Sequence, residues 1–138
     1  MDRESRLAIL QKITINMLDH LGISFTDSEP GKISASMPVD SRTTQPFGVL
    51  HGGASVTLAE TLGSAGSMLE IDTDKQYCVG LEINANHVRA VRDGKVHGTA
   101  TAIHLGRSTH IWETRIVDDK DKLVSVGRIT MAILDKKD

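Results

Sequence analysis

At 138 residues, with 39% hydrophobic and 25% charged residues, the chain has the size and composition of one globular domain, 1–138. A formal net charge of −2, with the 16 Lys and Arg scattered rather than striped, excludes the electrostatics of a nucleic-acid binder. One cysteine, Cys78, excludes an internal disulfide, and no apolar run approaches the ~20 residues of a membrane span. The charged N-terminus lacks the apolar core of a signal peptide, so a cytoplasmic protein without membrane contact is expected.

The first 20 residues read as an N-terminal helix, because Leu7, Leu10, Ile13 and Met17 recur at spacings of three and four over 3–19. Gly22 ends that pattern. Two short strands follow over 22–28 and 32–38, joined by the turn Glu29-Pro30-Gly31. In the second strand Ile33, Ala35 and Met37 alternate with Lys32, Ser34 and Ser36. The stretch Pro38–Leu50 has two prolines and no period and reads as an ordered loop; Lys136 and Lys137 at the far end of the chain read as a solvated tail.

Residues 51–69, HGGASVTLAETLGSAGSML, predict a central helix. Its apolar and small residues cover most of the circumference, the mark of a buried helix. Gly63 and Gly66 each cost about 1 kcal/mol in a helix interior, which implies close approach of surrounding backbone. The rest of the chain reads as strands over 76–91, 94–106, 108–118 and 122–134, with turn signals between them, and predicts a four-stranded antiparallel meander. Strands gathered after one buried helix indicate an α+β domain whose sheet curls around that helix.

Two features of the central helix point to chemistry. Glu60 stands among apolar and small residues with no Lys or Arg at i±3 or i±4. It is either a carboxylate on a narrow exposed stripe or a reactive group. Ser64 lies one turn on, where a hydroxyl and a carboxylate can share a water. At the helix start, His51-Gly52-Gly53 either shapes a tight turn or leaves unpaired backbone N–H groups open to an oxygen that gains charge in acyl transfer. Gln45, in the loop just before, can aim an amide at the same oxygen.

The runs PVDSRTTQPFGVLHGGASVTLAET, GLEINANHVR and HLGRS closely resemble the hotdog-fold acyl-CoA thioesterases. They are most similar to the branch acting on aryl-CoA substrates such as hydroxybenzoyl-CoA and dihydroxynaphthoyl-CoA. The likeness spans roughly Leu21 to Leu134. It implies a curled antiparallel sheet wrapped around a long central helix. It also implies that Gln45 and the Gly52 N–H polarise the thioester carbonyl, with His51 orienting the thioester. Glu60 then acts as nucleophile or general base, and Ser64 orients water or the carboxylate. The CoA contacts of the family match Gly80, the run His87, Val88, Arg89 and Ala90, and the run His104, Leu105, Gly106, Arg107, Ser108 and Thr109. Arg89 and Arg107 would hold phosphates, although by residue type alone they read as solvated surface charges. No cofactor is implied beyond the CoA of the substrate, and dimers are expected to pair into tetramers.

Helix geometry adds a point independent of the likeness. Gly52 and Glu60 are eight residues apart, ~12 Å along a helix, too far for one chain's Glu60 to attack a carbonyl held at its own Gly52. If both act on one thioester, they come from two chains related by a two-fold axis. The histidines show no helical H-x-x-x-H pair and no cysteine cluster, so no metal site is expected. Cys78 has no activating base nearby in sequence, and the serines lack a G-x-S-x-G elbow. Trp112 reads as core or interface. Two other functions stay open: a hotdog dehydratase or hydratase, and a non-catalytic acyl-CoA-binding module.

Overall fold

The computed structural model describes residues 1–138. The first helix, α1 (Arg3–Ile13), is capped by Asp2, whose side chain accepts from the Ser5 N–H at 2.8 Å. The expected single helix over 3–19 is in fact broken. The Thr14 hydroxyl turns back onto the Leu10 carbonyl at 2.9 Å, and Asn16 takes a left-handed φ of 55° before a short α2 (Met17–His20). Asparagine is among the few residues that accept that conformation, so the periodic apolar pattern continues across a real interruption.

One six-stranded antiparallel sheet follows, from β1 (Ser24–Glu29), β2 (Lys32–Pro38), β3 (Gln76–His87), β4 (Lys95–Leu105), β5 (Thr109–Asp118) and β6 (Leu123–Asp135). Its order is β1-β2-β4-β5-β6-β3. The four-strand meander is therefore corrected: β4, β5 and β6 form one, while β3 pairs with β6 at the far edge. The stretch 88–94 is a crossing between the two sides of the sheet rather than a hairpin. It is tied down by Leu50 N–H to the Val91 carbonyl at 2.7 Å and Val39 N–H to the Gly94 carbonyl at 2.9 Å. A turn signal such as Arg92-Asp93-Gly94 marks where a strand starts. It does not say which neighbour that strand takes.

The sheet curls around α3 (Gly52–Leu69), which packs on β2 to β6. Leu58 and Leu62 meet Ile33, Met37, Val96, Trp112, Ile116 and Ile129 in one buried cluster, a hotdog architecture. The two mid-helix glycines answer a steric demand. A Cβ on Gly66 would come within 2.8 Å of Trp112 Cη2, and one on Gly63 would collide with Ile129 Cγ2. Only one side of α3 is buried, however. Gly53 and Glu60 are exposed and Val56, Thr61, Ser64 and Met68 half-buried, so the helix that reads as apolar all round keeps an open stripe in the single chain.

Two polar clusters lock the helices to the sheet. Arg6 is buried, donating to Ser28 Oγ at 2.9 Å, to the Glu29 carbonyl at 3.2 Å and to Glu70 Oε1 at 2.7 Å, which fastens α1 to the end of α3. At the same end Trp112 Nε1–H donates to Ser67 Oγ at 2.8 Å, and Ser67 Oγ lies 3.0 Å from His110 Nδ1. All three are buried. Burial lowers the His110 pKa below its ordinary 6.5, opposed by Glu70 and reinforced by His104. The unfolded chain thus binds a proton more readily at this position than the folded one. The stability from neutral His110 is complete above about pH 6.5 and is lost as pH falls through the lower folded value. Thermal melts should show the wild-type Tm falling below pH 6.5 more steeply than that of His110→Gln. Parallel Tm–pH curves would show that His110 carries no such linkage.

Candidate active site

The N-terminus of α3 builds its own donor. His51 is the N-cap, and its Nδ1 accepts the Gly53 N–H at 2.8 Å. The His51 carbonyl takes the N–H groups of Ala54 at 2.9 Å and Ser55 at 3.3 Å. Of the first four N–H groups of the helix, only that of Gly52 donates to nothing in the chain. The helix dipole adds partial positive charge there. The Gln45 side chain complements it: Oε1 accepts from Phe47 N–H, so the amide NH2 is the free donor. The loop holding Gln45 is closed by Gln45 N–H to the Val49 carbonyl and Gly48 N–H to the Gln45 carbonyl, both 2.9 Å. His87, at the end of β3, packs against the same helix start, with Nε2 2.9 Å from where a Gly52 Cβ would stand. His51, Gly52 and His87 are therefore brought together, and Gln45 lies in the loop that leads into them.

Two turns along α3, Glu60 is exposed and makes no ion pair in the chain. It lies against β3, where a Cβ on Gly80 would come within 2.7 Å of Glu60 Oε1; a residue larger than glycine there would push the carboxylate aside. Glu60 and Ser64 open onto a cavity of about 530 Å³ that runs along the exposed stripe of α3. Cys78 also lines it, and its Sγ lies 3.6 Å from the Ser64 carbonyl. Burial raises the Cys78 pKa, so the group is a thiol at neutral pH and not a nucleophile.

The remaining candidate contacts split between the two ends of the sheet. Val88, Arg89 and Ala90 follow β3 at the end marked by Ser125 of β6, with the Val88 N–H on the Val124 carbonyl at 2.8 Å. His104, Leu105, Gly106, Arg107, Ser108 and Thr109 form the β4–β5 hairpin at the other end, closed by Gly106 N–H to the Thr109 carbonyl at 2.9 Å. From Ser125, opposite His87, to Ala132, opposite Thr109, is seven residues of β6, roughly 23 Å. One chain does not bring Arg89 and Arg107 to the same phosphate.

The thioesterase superfamily matches residues 47–125, from just after Gln45 into the start of β6. The chain belongs to the thioesterase superfamily, and it is a thioester hydrolase of the acyl-CoA thioesterase type with a hotdog fold. It is 50% identical over 119 residues to the 1,4-dihydroxy-2-naphthoyl-CoA hydrolase of Escherichia coli, covering 86% of this chain and 87% of that one. It is 47% identical over 133 residues to the proofreading thioesterase EntH of Klebsiella pneumoniae, covering 96% of each. Among solved structures, a variant of thioesterase PA1618 from Pseudomonas aeruginosa superposes with a TM-score of 0.89 at 51% identity, over 99% of this chain and 96% of that one.

Proposed function

We propose that the protein hydrolyses an aryl- or medium-chain acyl-CoA at a site shared by two chains. The Gly52 N–H and Gln45 amide of one chain hold the thioester oxygen, and Glu60 of the other supplies the carboxylate. The free N–H of Gly52, two helical turns from an exposed Glu60, is the observation that carries this reading. As charge builds on the carbonyl oxygen, the helix end and the amide stabilise it without having to reorganise. Glu60 either attacks the carbonyl carbon, expelling CoA thiolate and leaving a mixed anhydride that water cleaves, or takes a proton from a water that attacks directly. Ser64, one turn on, orients that water or the carboxylate. Thiolate is a good leaving group, so neither a full triad nor a cofactor is needed, and no metal enters the reaction.

A two-fold assembly supports this chemistry. Strand β3 is a sheet edge with Val79 and Leu81 exposed, and the open stripe of α3 lies beside it. Antiparallel packing of two such edges and helices sets each Glu60 near the other chain's Gly52. Pairing of two dimers would let Arg89 and Arg107 from different chains serve one nucleotide. The aryl-CoA preference rests on the likeness to the dihydroxynaphthoyl-CoA hydrolase. No helix is long and apolar enough to cross a membrane, and with a single cysteine we place the enzyme in the cytoplasm.

The test is thiol release across a panel of acyl- and aryl-CoAs, with free acid and CoA expected in equal amounts. Hydration of an enoyl-CoA without thiol release would point to a lyase instead, and binding with no turnover of any acyl-CoA to a binding module. Arg89→Ala and Arg107→Ala should each raise KM by about tenfold with a smaller change in kcat, because phosphate contacts remote from the carbonyl contribute mainly ground-state binding. Unchanged KM in both, at low and high salt, would place the nucleotide elsewhere.

A further inference from the structure

The cavity below Glu60 has two chemically different ends. Near the carboxylate it is lined by α3, through Ser64, Ala65 and Met68. Ile13 and Leu18, on either side of the break at Thr14–Asn16, also line it. The far end sets the polar groups of Thr73, Gln76 and Lys136 beside Ile71 and Tyr77. Lys136 is exposed, as its position near the tail suggests, but it is anchored. Its N–H bonds the Lys75 carbonyl at 2.8 Å, and its Nζ donates to the Thr73 carbonyl at 2.5 Å. None of the ion pairs in the chain includes it. An ammonium has three donors, so at least two remain for water or a ligand at that end of the cavity.

We propose that Lys136 is a specificity-determining residue that reads an oxygen at the distal end of the acyl group, while Ile13 and Leu18 set the width of the acyl channel. This rests on the reading of Glu60 as the group that meets the thioester carbonyl. From Glu60 to Met68 is eight residues of helix, ~12 Å, about the reach of an extended eight- to ten-carbon acyl group. A carbonyl at Glu60 thus sends the far end of such a group to Thr73, Gln76 and Lys136. A plain hydrocarbon ending there would strip water from the ammonium without replacing its hydrogen bonds. A terminal hydroxyl or carboxylate would replace them. The preferred acyl group is therefore apolar along its length and oxygenated at its tip.

The experiment measures binding apart from turnover. Two CoA thioethers without a scissile bond, 2-oxooctyl-CoA and 8-hydroxy-2-oxooctyl-CoA, are titrated calorimetrically into the intact protein. Thiol release is followed in parallel with octanoyl-CoA and 8-hydroxyoctanoyl-CoA. The wild type should bind the hydroxylated thioether roughly tenfold more tightly, by the usual strength of a hydrogen bond to a charged group. Lys136→Met should bind both alike while keeping the affinity for 2-oxooctyl-CoA. Ile13→Trp should weaken both by narrowing the channel. Equal binding of the two thioethers by the wild type, no binding of either, or a preference that survives in Lys136→Met overturns the proposal. Thiol release with no effect of Lys136 would leave the thioesterase reading standing and remove only this one. The expected binding preference without turnover of any acyl-CoA would do the reverse.

Discussion

Glu60→Ala and Glu60→Gln lower kcat by about a thousandfold or more, while CoA binding and assembly persist. The size of the effect follows from losing the nucleophile or base, an interaction that matters in the transition state rather than in uniform binding. The persistence of the fold follows from the structure: Glu60 is exposed, makes no ion pair in the chain and carries no part of the buried cluster. Steady-state kinetics with the best substrate of the panel, together with sedimentation of the variants, separate the two quantities. Near-normal turnover in Glu60→Ala would remove this carboxylate from the mechanism.

Mixing two dead variants restores activity. A Glu60→Ala chain keeps its Gly52 N–H and Gln45 amide, and a Gln45→Ala, His51→Ala chain keeps its Glu60. Each homo-oligomer is severely impaired. After reversible dissociation and reassociation, random pairing makes about half the dimers mixed, each with one complete and one doubly broken site. Recovery approaches roughly a quarter of wild-type activity by that isologous count. The warrant is the ~12 Å that α3 puts between Gly52 and Glu60, which no rotamer of a glutamate bridges. If mass spectrometry proves subunit exchange and activity stays at the level of the parents, each site is built within one chain.

Much of the fold can be read from local pattern. Strand β2 falls on the predicted 32–38, and α3 begins one residue inside the predicted 51–69 because His51 serves as its cap. These segments are governed by period and by steric need, as Gly63 under Ile129 and Gly66 under Trp112 show. What local pattern does not encode is partnership. Nothing in QYCVGLEINANH says that it pairs with β6 rather than β4, since alternation specifies a face and not a neighbour. The break at Asn16 hides behind an apolar period that runs straight across it. The clusters Arg6–Glu70 and Trp112–Ser67–His110 join residues tens of positions apart, so only the folded chain displays them. The site divides the same way. Glu60 without a charged neighbour and the glycine pair after His51 stand out in sequence. The single unpaired N–H at Gly52, the free amide of Gln45, the His87 ring against the helix start and the anchored Lys136 do not.

The capping of α3 by His51 also constrains which residues that position can exchange for. The strongest helix caps are Asn, Asp, Ser and Thr, and histidine is not among them. Aspartate would hold the Gly53 N–H as well as the imidazole does. It would also set a full negative charge beside the Gly52 N–H, where an oxygen must acquire one, and so oppose the reaction that the free donor favours. An uncharged acceptor of the right reach satisfies the helix and leaves the neighbouring field positive. The need for an uncharged acceptor therefore removes one of the strong helix caps, aspartate, from the exchanges that position 51 tolerates if the Gly52 N–H serves acyl transfer as proposed.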